Sequence, residues 1–352
     1  MARRWTEGDQ RVNVVVTIQH PGHVHFFRPI VAELTASEHD VRVFCRENAS
    51  AVALLDRYDM PYEKLADSSE SVGSLARTQL TYEARLFRRA RRFDPDVMTA
   101  IGGVAVSHVA KLVDAESVVF YDTEHASLIR HLAFPFADTV CTPDSFDASV
   151  LGTHRRYPGY HELAYLHPER FTPDDSVLEA VGASRDDRIA VVRLGDWSAS
   201  HDVGESGFGD PHEVIERLEA TGAEVLLTAE GAVPPALADR EFDLPPERFH
   251  DLLALADCYV GEGATTAAEA AVLGTPAVYV NSLSLGYLDE LASYDLVVSC
   301  NGPNRQRRAI RSGVEILEAG EDVDWDRRRA RVLERTVDVT DFAVAQITRA
   351  GG

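Results

Sequence analysis

Lysine is almost missing from this chain. Of its 352 residues only Lys64 and Lys111 are lysines; the other cations are arginine, and 35 basic side chains stand against 57 acidic ones, a formal net charge of −22. A field of that sign disfavours general attachment to nucleic acid, whose phosphates need cations. No apolar run approaches the ~20 residues that cross a bilayer, so no integral membrane segment is expected and only peripheral membrane contact is left open. Met1–Gln10 is polar and charged and lacks an apolar core, so export is unsupported and a cytoplasmic location is expected. Cysteine is scarce: Cys45, Cys141, Cys258 and Cys300 are dispersed with no C-x-x-C pair, which suits buried thiols in a reducing compartment. Neither G-x-G-x-x-G nor a P-loop occurs, so a dinucleotide in the first half and a Walker-type phosphate site both lapse.

What is present is a repeated strand–helix alternation. The hydrophobic content of 45% and the lack of low-complexity tracts make the chain globular, and its length exceeds one ordinary core. Val12–Ile18 reads as a buried parallel strand, followed by a loop over residues 19–25 and a helix over Phe26–Ala36. Val41–Cys45, Val97–Thr99, Ser117–Tyr121 and Thr139–Thr142 read as further strands, the last closing the first sheet, and Ser74–Phe93 as an Arg-rich amphipathic helix. The proline-, glycine- and aromatic-rich stretch Tyr157–Pro168 is the expected domain join. A second alternation starts with the strand Arg188–Leu194 and the polar loop Gly195–Gly209, and ends in a long helix, Asp324–Arg349. The expected fold class is α/β, with two Rossmann-like doubly wound domains facing across a cleft, residues 1–160 and 161–322. Residues 323–352 are expected as a C-terminal helix returning to the first domain. The acidic, lysine-poor composition suits a salt-rich cytosol, where self-repulsion is screened.

The stretch Ala256–Val280 organises the second half. Cys258–Val260 reads as a short strand, Gly261-Glu262-Gly263 as a glycine turn, and Ala267–Leu273 as a helix entered through Thr265 and Thr266. Gly274 is the expected helix stop, and Pro276 opens the next strand. A glycine turn feeding a helix N-terminus presents backbone N–H groups at the positive end of the helix dipole, where an anion is stabilised. An ordinary β–α–β unit with small residues for close packing accounts for the glycines equally well.

The composite pattern G-x-T-x-x-x-E-A-x-x-L-G-x-P over Gly263–Pro276 resembles the nucleotide-sugar segment of glycosyltransferases of the two-Rossmann GT-B fold, and also of UDP-N-acetylglucosamine 2-epimerases. That resemblance implies a diphosphate contact for Gly263, Ala264, Thr265 and Thr266 and a ribose contact for Glu269. His20-Pro21-Gly22-His23, Phe26-Phe27-Arg28-Pro29, Asp122-Thr123-Glu124-His125, Tyr157-Pro158-Gly159-Tyr160 and Glu162–Leu166 occur ahead of it in one order. Together they resemble a prokaryotic and archaeal family of GT-B-like proteins with a domain of unknown function, with a haloarchaeal cast to the composition. The resemblance covers nearly the whole chain.

Candidate chemistry lies at strand carboxyl ends. His20, His23 and His25 crowd the end of the first strand, where an imidazole can act as general base toward an acceptor hydroxyl. His23, directly after Gly22, is the first choice; a His-rich surface loop is the alternative. Glu124 or His125 could orient that ring or hold an acceptor, while Asp122 and Thr123 equally suit a turn or helix cap. Arg193 ends an apolar strand and His201 follows in the loop; both suit diphosphate oxygens, with a surface salt bridge open for Arg193. Asp94-Pro95-Asp96 imitates the metal-binding D-x-D pattern but reads as a turn, and the histidines lack a third spaced ligand, so no metal and no cofactor are expected. The resemblance implies a metal-independent transferase using a nucleotide-sugar, UDP-linked, as substrate in cell-surface glycan or glycoconjugate synthesis. An epimerase acting on a UDP-N-acetylhexosamine, with Asp122, Glu124 and His201 near the sugar, and a non-catalytic nucleotide- or glycan-binding protein stand beside it.

Overall fold

The structure, a computed structural model, describes residues 11–66, 72–125, 127–195 and 208–352. Its contacts gather into two units, Met1–Tyr165 together with Val337–Gly352, and Leu166–Thr336.

The first unit opens with β1 (Asn13–Ile18), α1 (Pro21–Ala36), β2 (Asp40–Arg46), α2 (Ala49–Arg57), β3 (Glu63–Ala66) and α3 (Val72–Phe93). It continues through β4 (Val97–Ile101), α4 (Val104–Val113), β5 (Glu116–Phe120), α5 (Ser127–Ala133), β6 (Thr139–Pro143) and β7 (Thr153–Tyr157), then the short α6 (Leu163–Leu166). Seven strands form one parallel sheet in the order β3-β2-β1-β4-β5-β6-β7. The continuous apolar run of β1 is buried from Val14 to Ile18, as a strand covered on both faces must be. The strand order reverses at β1 and β4, so the loops leaving their carboxyl ends part to opposite faces and open a crevice.

The second unit runs through α7 (Ser176–Ala180), β8 (Ile189–Leu194), α8 (Pro211–Glu219), β9 (Glu224–Ala229), α9 (Phe249–Leu255), β10 (Cys258–Gly261) and α10 (Ala264–Leu273). It closes with β11 (Ala277–Val280), α11 (Gly286–Ser293), β12 (Val297–Cys300), α12 (Arg305–Ala319) and α13 (Trp325–Leu333). Its five parallel strands lie in the order β12-β11-β10-β8-β9, with the reversal between β8 and β10. The final helix α14 (Val339–Gly351) packs on the first unit against α1, β4 and β5, and its Val339, Thr340, Ala343, Val344 and Ile347 are buried.

Three local readings differ from the sequence expectation. The first helix starts at Pro21 rather than Phe26, because His20 serves as its N-cap: His20 Nδ1 accepts the Gly22 N–H at 3.2 Å, and Pro21 has the φ a first turn needs. The first sheet closes on β7, not on β6. The helix expected over Asp324–Arg349 is two, α13 and α14; Asp338 interrupts it and caps the second through the N–H groups of Thr340 and Asp341.

Candidate functional site

At the carboxyl edge of the first sheet, the turns after β1 and β5 bring together residues far apart in sequence. His23 lies in the first turn of α1, partly buried, with Gln19 N–H reaching its Nδ1 at 3.4 Å and the His20 ring centroid 5.9 Å away. Asp122, just past β5, is fixed on both oxygens: Thr123 Oγ1 donates to Oδ1 at 2.8 Å, and His161 Nδ1 lies 3.0 Å from Oδ2. Burial, then the charges of His20 and His161, outweigh the pull of Asp122 and bring the His23 pKa from 6.5 down to about 3. The Asp122 carboxyl shows the opposite balance. Burial pushes it up, but the charge and hydrogen bond of His161, helped by Thr123 and His23, hold it below its ordinary value.

His161 is the member that sequence reasoning missed. It lies in the stretch read as a domain join, yet it is buried, 4.8 Å from the Phe26 ring and stacked at 6.5 Å on Tyr157. With Nδ1 on Asp122, its Nε2 is buried without a hydrogen-bond partner among the described residues. An orphaned buried nitrogen of this kind costs about 1–3 kcal/mol and calls for a functional account.

The other candidates of this unit separate. Gly22 donates its N–H to the His20 cap. His25 is a core residue, stacked at 5.3 Å on Tyr165 and 3.5 Å from the Tyr58 hydroxyl. Glu124 is partly buried with Oε2 unpartnered among the described residues, while His125 is exposed. Asp94-Pro95-Asp96 sits at the opposite edge of the sheet, where the Asn13 N–H donates to Asp96 Oδ2 at 2.7 Å.

At the carboxyl edge of the second sheet, Arg193 of β8 is the register partner of Gly261 of β10. Gly261 has an ordinary φ; it is glycine because a Cβ there would collide with the Tyr259 hydroxyl. Gly263 is the N-cap of α10 and has no side chain to close the helix end, so among the described residues no side chain caps the first N–H groups of α10. Ala264 and Thr265 lie at that end, Thr265 exposed and Thr266 buried. The Arg193 guanidinium stands beside it: Nε is 3.9 Å from where a Gly263 Cβ would be, Nη2 is 3.5 Å from Glu230, and the group lies 5.9 Å from the Phe249 ring. Gly274 ends α10 with φ 99°, the left-handed stop expected from the sequence.

Two carboxylates on this segment are already engaged. Glu269 is buried, with Oε1 2.9 Å from Nε2 of the equally buried His250. Glu262 accepts the backbone N–H groups of both Gly195 and Phe208, and burial raises its pKa against those two bonds. Sequence reasoning gave Glu262 no role beyond the turn. His201 lies outside the described residues.

Residues 12–295 match the model of a family described as a protein of unknown function, DUF354. No curated protein matches the chain in sequence. Among solved structures, the UDP-GlcNAc 2-epimerase of Methanocaldococcus jannaschii is similar with a TM-score of 0.69 at 11% identity, covering 96% of this chain and 99% of that one. The spinosyn forosaminyltransferase SpnP is similar with a TM-score of 0.65 at 13% identity, over 97% of this chain and 100% of that one. The glycosyltransferase VinC, solved with dTDP, is similar with a TM-score of 0.64 at 14% identity, over 96% and 99%. Likenesses at such identities establish the fold alone: two parallel Rossmann-like sheets flanked by helices, as in GT-B proteins.

Proposed function

The chain belongs to the DUF354 family, and on that premise we infer that it is a nucleotide-sugar-dependent glycosyltransferase of the GT-B, metal-independent kind. The observation that carries this reading is the N-terminus of α10. Among the described residues it has no capping side chain, it has a glycine where a larger residue would narrow the approach, and the Arg193 guanidinium lies beside it. Exposed N–H groups, the helix dipole and a forked cation together suit the two phosphates of a UDP-linked donor and the charge that grows on UDP as it leaves. Gly263, Ala264, Thr265 and Thr266 would line the diphosphate. Glu269 would meet the ribose.

The first unit supplies the acceptor chemistry in this reading. His23 takes the proton of the acceptor hydroxyl as its oxygen attacks the anomeric carbon, and the Asp122 carboxylate counters the imidazolium so formed. Glu124, with an oxygen unpartnered among the described residues, holds the acceptor, with exposed His125 next to it in sequence. An acceptor in cell-surface glycan or glycoconjugate synthesis fits a cytoplasmic enzyme of this kind. A second reading, 2-epimerisation of a UDP-N-acetylhexosamine, draws support from the paired carboxylate and imidazole of Asp122 and His161 and from the 2-epimerase likeness.

The test is calorimetric titration with UDP at high salt, followed by a donor–acceptor screen for released UDP. Saturable UDP binding that weakens at least tenfold in Arg193→Ala supports the donor site; no binding of any nucleoside diphosphate overturns it. Acceptor-dependent UDP release marks a transferase, sugar interconversion without acceptor an epimerase, and affinity without turnover a binding protein.

A further inference from the structure

Nine large apolar side chains among the described residues are exposed, and six of them fall on one face of the first unit: Leu80, Leu112, Leu128, Ile129, Leu132 and Phe136. They belong to α3, α4, α5 and the turn after α5. His108 of α4 draws these elements together. Its Nδ1 is 3.3 Å from Glu83 of α3, its Nε2 is 2.9 Å from the Leu132 carbonyl oxygen, and its ring meets Phe136 edge-on at 4.9 Å. Leu112 lies one turn beyond His108 on the same side of α4. Leu80, Leu112 and Leu128 are each more than two-thirds exposed, far from the scattered apolar surface that any protein carries.

The charge around this patch runs against the rest of the molecule. The outer stripe of α3 is Arg77, Leu80, Ala84, Arg88 and Arg91, spaced i, i+3, i+7, i+11 and i+14, and every one is exposed. The one carboxylate on that helix, Glu83, is engaged by Gln79 and His108. Arg92 extends the cationic surface and partly buried Arg130 lies on α5, while Lys111 is held by Asp138 and the exposed Asp114 ends α4. A chain of net charge −22 thus carries exposed leucines framed by arginine on a single face.

We propose that the α3–α4–α5 face docks on an anionic lipid bilayer. Leucines entering the acyl boundary with arginines at the headgroup level is the arrangement by which amphipathic surfaces bind membranes reversibly. A second copy of the chain is a poorer occupant, because a two-fold interface would set this cationic face against itself. Ile129 comes close to Gly102, whose Cβ position is 3.6 Å from its Cγ2, so the patch begins beside the turn that leaves β4 at the carboxyl edge.

Vesicle flotation of the full chain tests this, with phosphatidylglycerol-containing and pure phosphatidylcholine vesicles at the lowest salt that keeps the far-UV spectrum native. Wild type is expected to float with the anionic vesicles about tenfold more strongly than with the neutral ones. Leu128→Ser with Leu132→Ser, and separately Arg88→Glu with Arg91→Glu, should each cut anionic binding about tenfold at an unchanged melting temperature. No flotation of wild type, or flotation of either variant equal to that of wild type, overturns the proposal. A concentration-dependent dimer that disappears in the leucine variant overturns it as well, and assigns the face to self-association.

Discussion

Asp122 Oδ2 and His161 Nδ1 lie 3.0 Å apart, and the pair joins a residue just past β5 to one that follows β7, across an edge that His23 shares. Neither partner is interchangeable with an isostere. Asp122→Asn keeps the size but removes the charge that orients the His161 ring and counters His23. Turnover in whichever reaction the donor screen identifies should fall about 10²–10⁴-fold, the usual worth of positioned acid–base groups. The nucleotide affinity should not change. A loss of UDP binding in Asp122→Asn would count against the division of labour between the two sheets.

The low pKa of His23 has a stability signature. The folded ring stays neutral down to about pH 3, whereas the unfolded ring takes a proton near 6.5. The unfolded state therefore binds more protons between those values, and stability falls as pH drops through that window, by at most about 1.4 kcal/mol per pH unit. The Asp122 carboxyl, held low when folded, adds stability above its unfolded pKa that is lost as pH falls through its folded one. Thermal melts from pH 7 to 4.5 should show a shallower decline in His23→Gln than in wild type. An identical slope in both proteins would mean that the ring is solvated.

The same value shapes the rate profile. A His23 that ionises near 3 gives no acid limb near pH 6.5 in kcat/KM, so the profile should stay flat from pH 8 to about 5. A limb at 6.5 that vanishes in His23→Gln would show that the free enzyme protonates this ring in the ordinary range.

Glu262 ties Gly195 to Phe208 through two backbone hydrogen bonds. Glu262→Ala leaves both donors without their carboxylate and should cost about 2–3 kcal/mol in urea unfolding. Gly195→Ala acts on the same tie from the other side, since its Cβ would stand 2.7 Å from Glu262 Oε2. The double variant should be clearly less destabilised than the sum of the two single ones. Strict additivity would indicate two independent sites.

The buried Glu269–His250 pair complicates any binding test at Glu269. Removing the carboxylate takes away the partner of His250 Nε2 in the core, so Glu269→Ala should lose about 1–3 kcal/mol of stability. Glu269→Gln keeps an oxygen for His250 and should stay folded, which makes it the variant in which a change in UDP affinity reports on the ribose contact. Equal melting temperatures for the two variants would show that the pair contributes little.

The α/β architecture and the second-half β–α–β unit were legible because their signals are local: β1 as an apolar run, the glycine turn before α10, and the left-handed stop at Gly274. The start of α1 was misjudged because histidine is not among the usual capping residues, although His20 Nδ1 does a cap's work. His161 was invisible for a different reason. Its partner, Asp122, lies 39 positions earlier, and a stretch rich in proline, glycine and tyrosine looks like a linker until it is seen buried. The tie made by Glu262 was equally hidden, since its partners are backbone N–H groups 67 and 54 positions away.

The placement of α14 has a consequence for synthesis. This helix completes the first unit, yet it follows the whole of Leu166–Thr336 in the chain. At 5–20 residues per second a ribosome needs roughly 10–30 s to make the intervening stretch. Throughout that interval the surfaces of α1, β4 and β5 that α14 will bury stay open to water, and the second unit, contiguous in sequence, is free to fold first. Chains truncated before Val337 should thus show protease protection over 208–336 and little over β4 and β5, with protection of the latter appearing only when α14 is present.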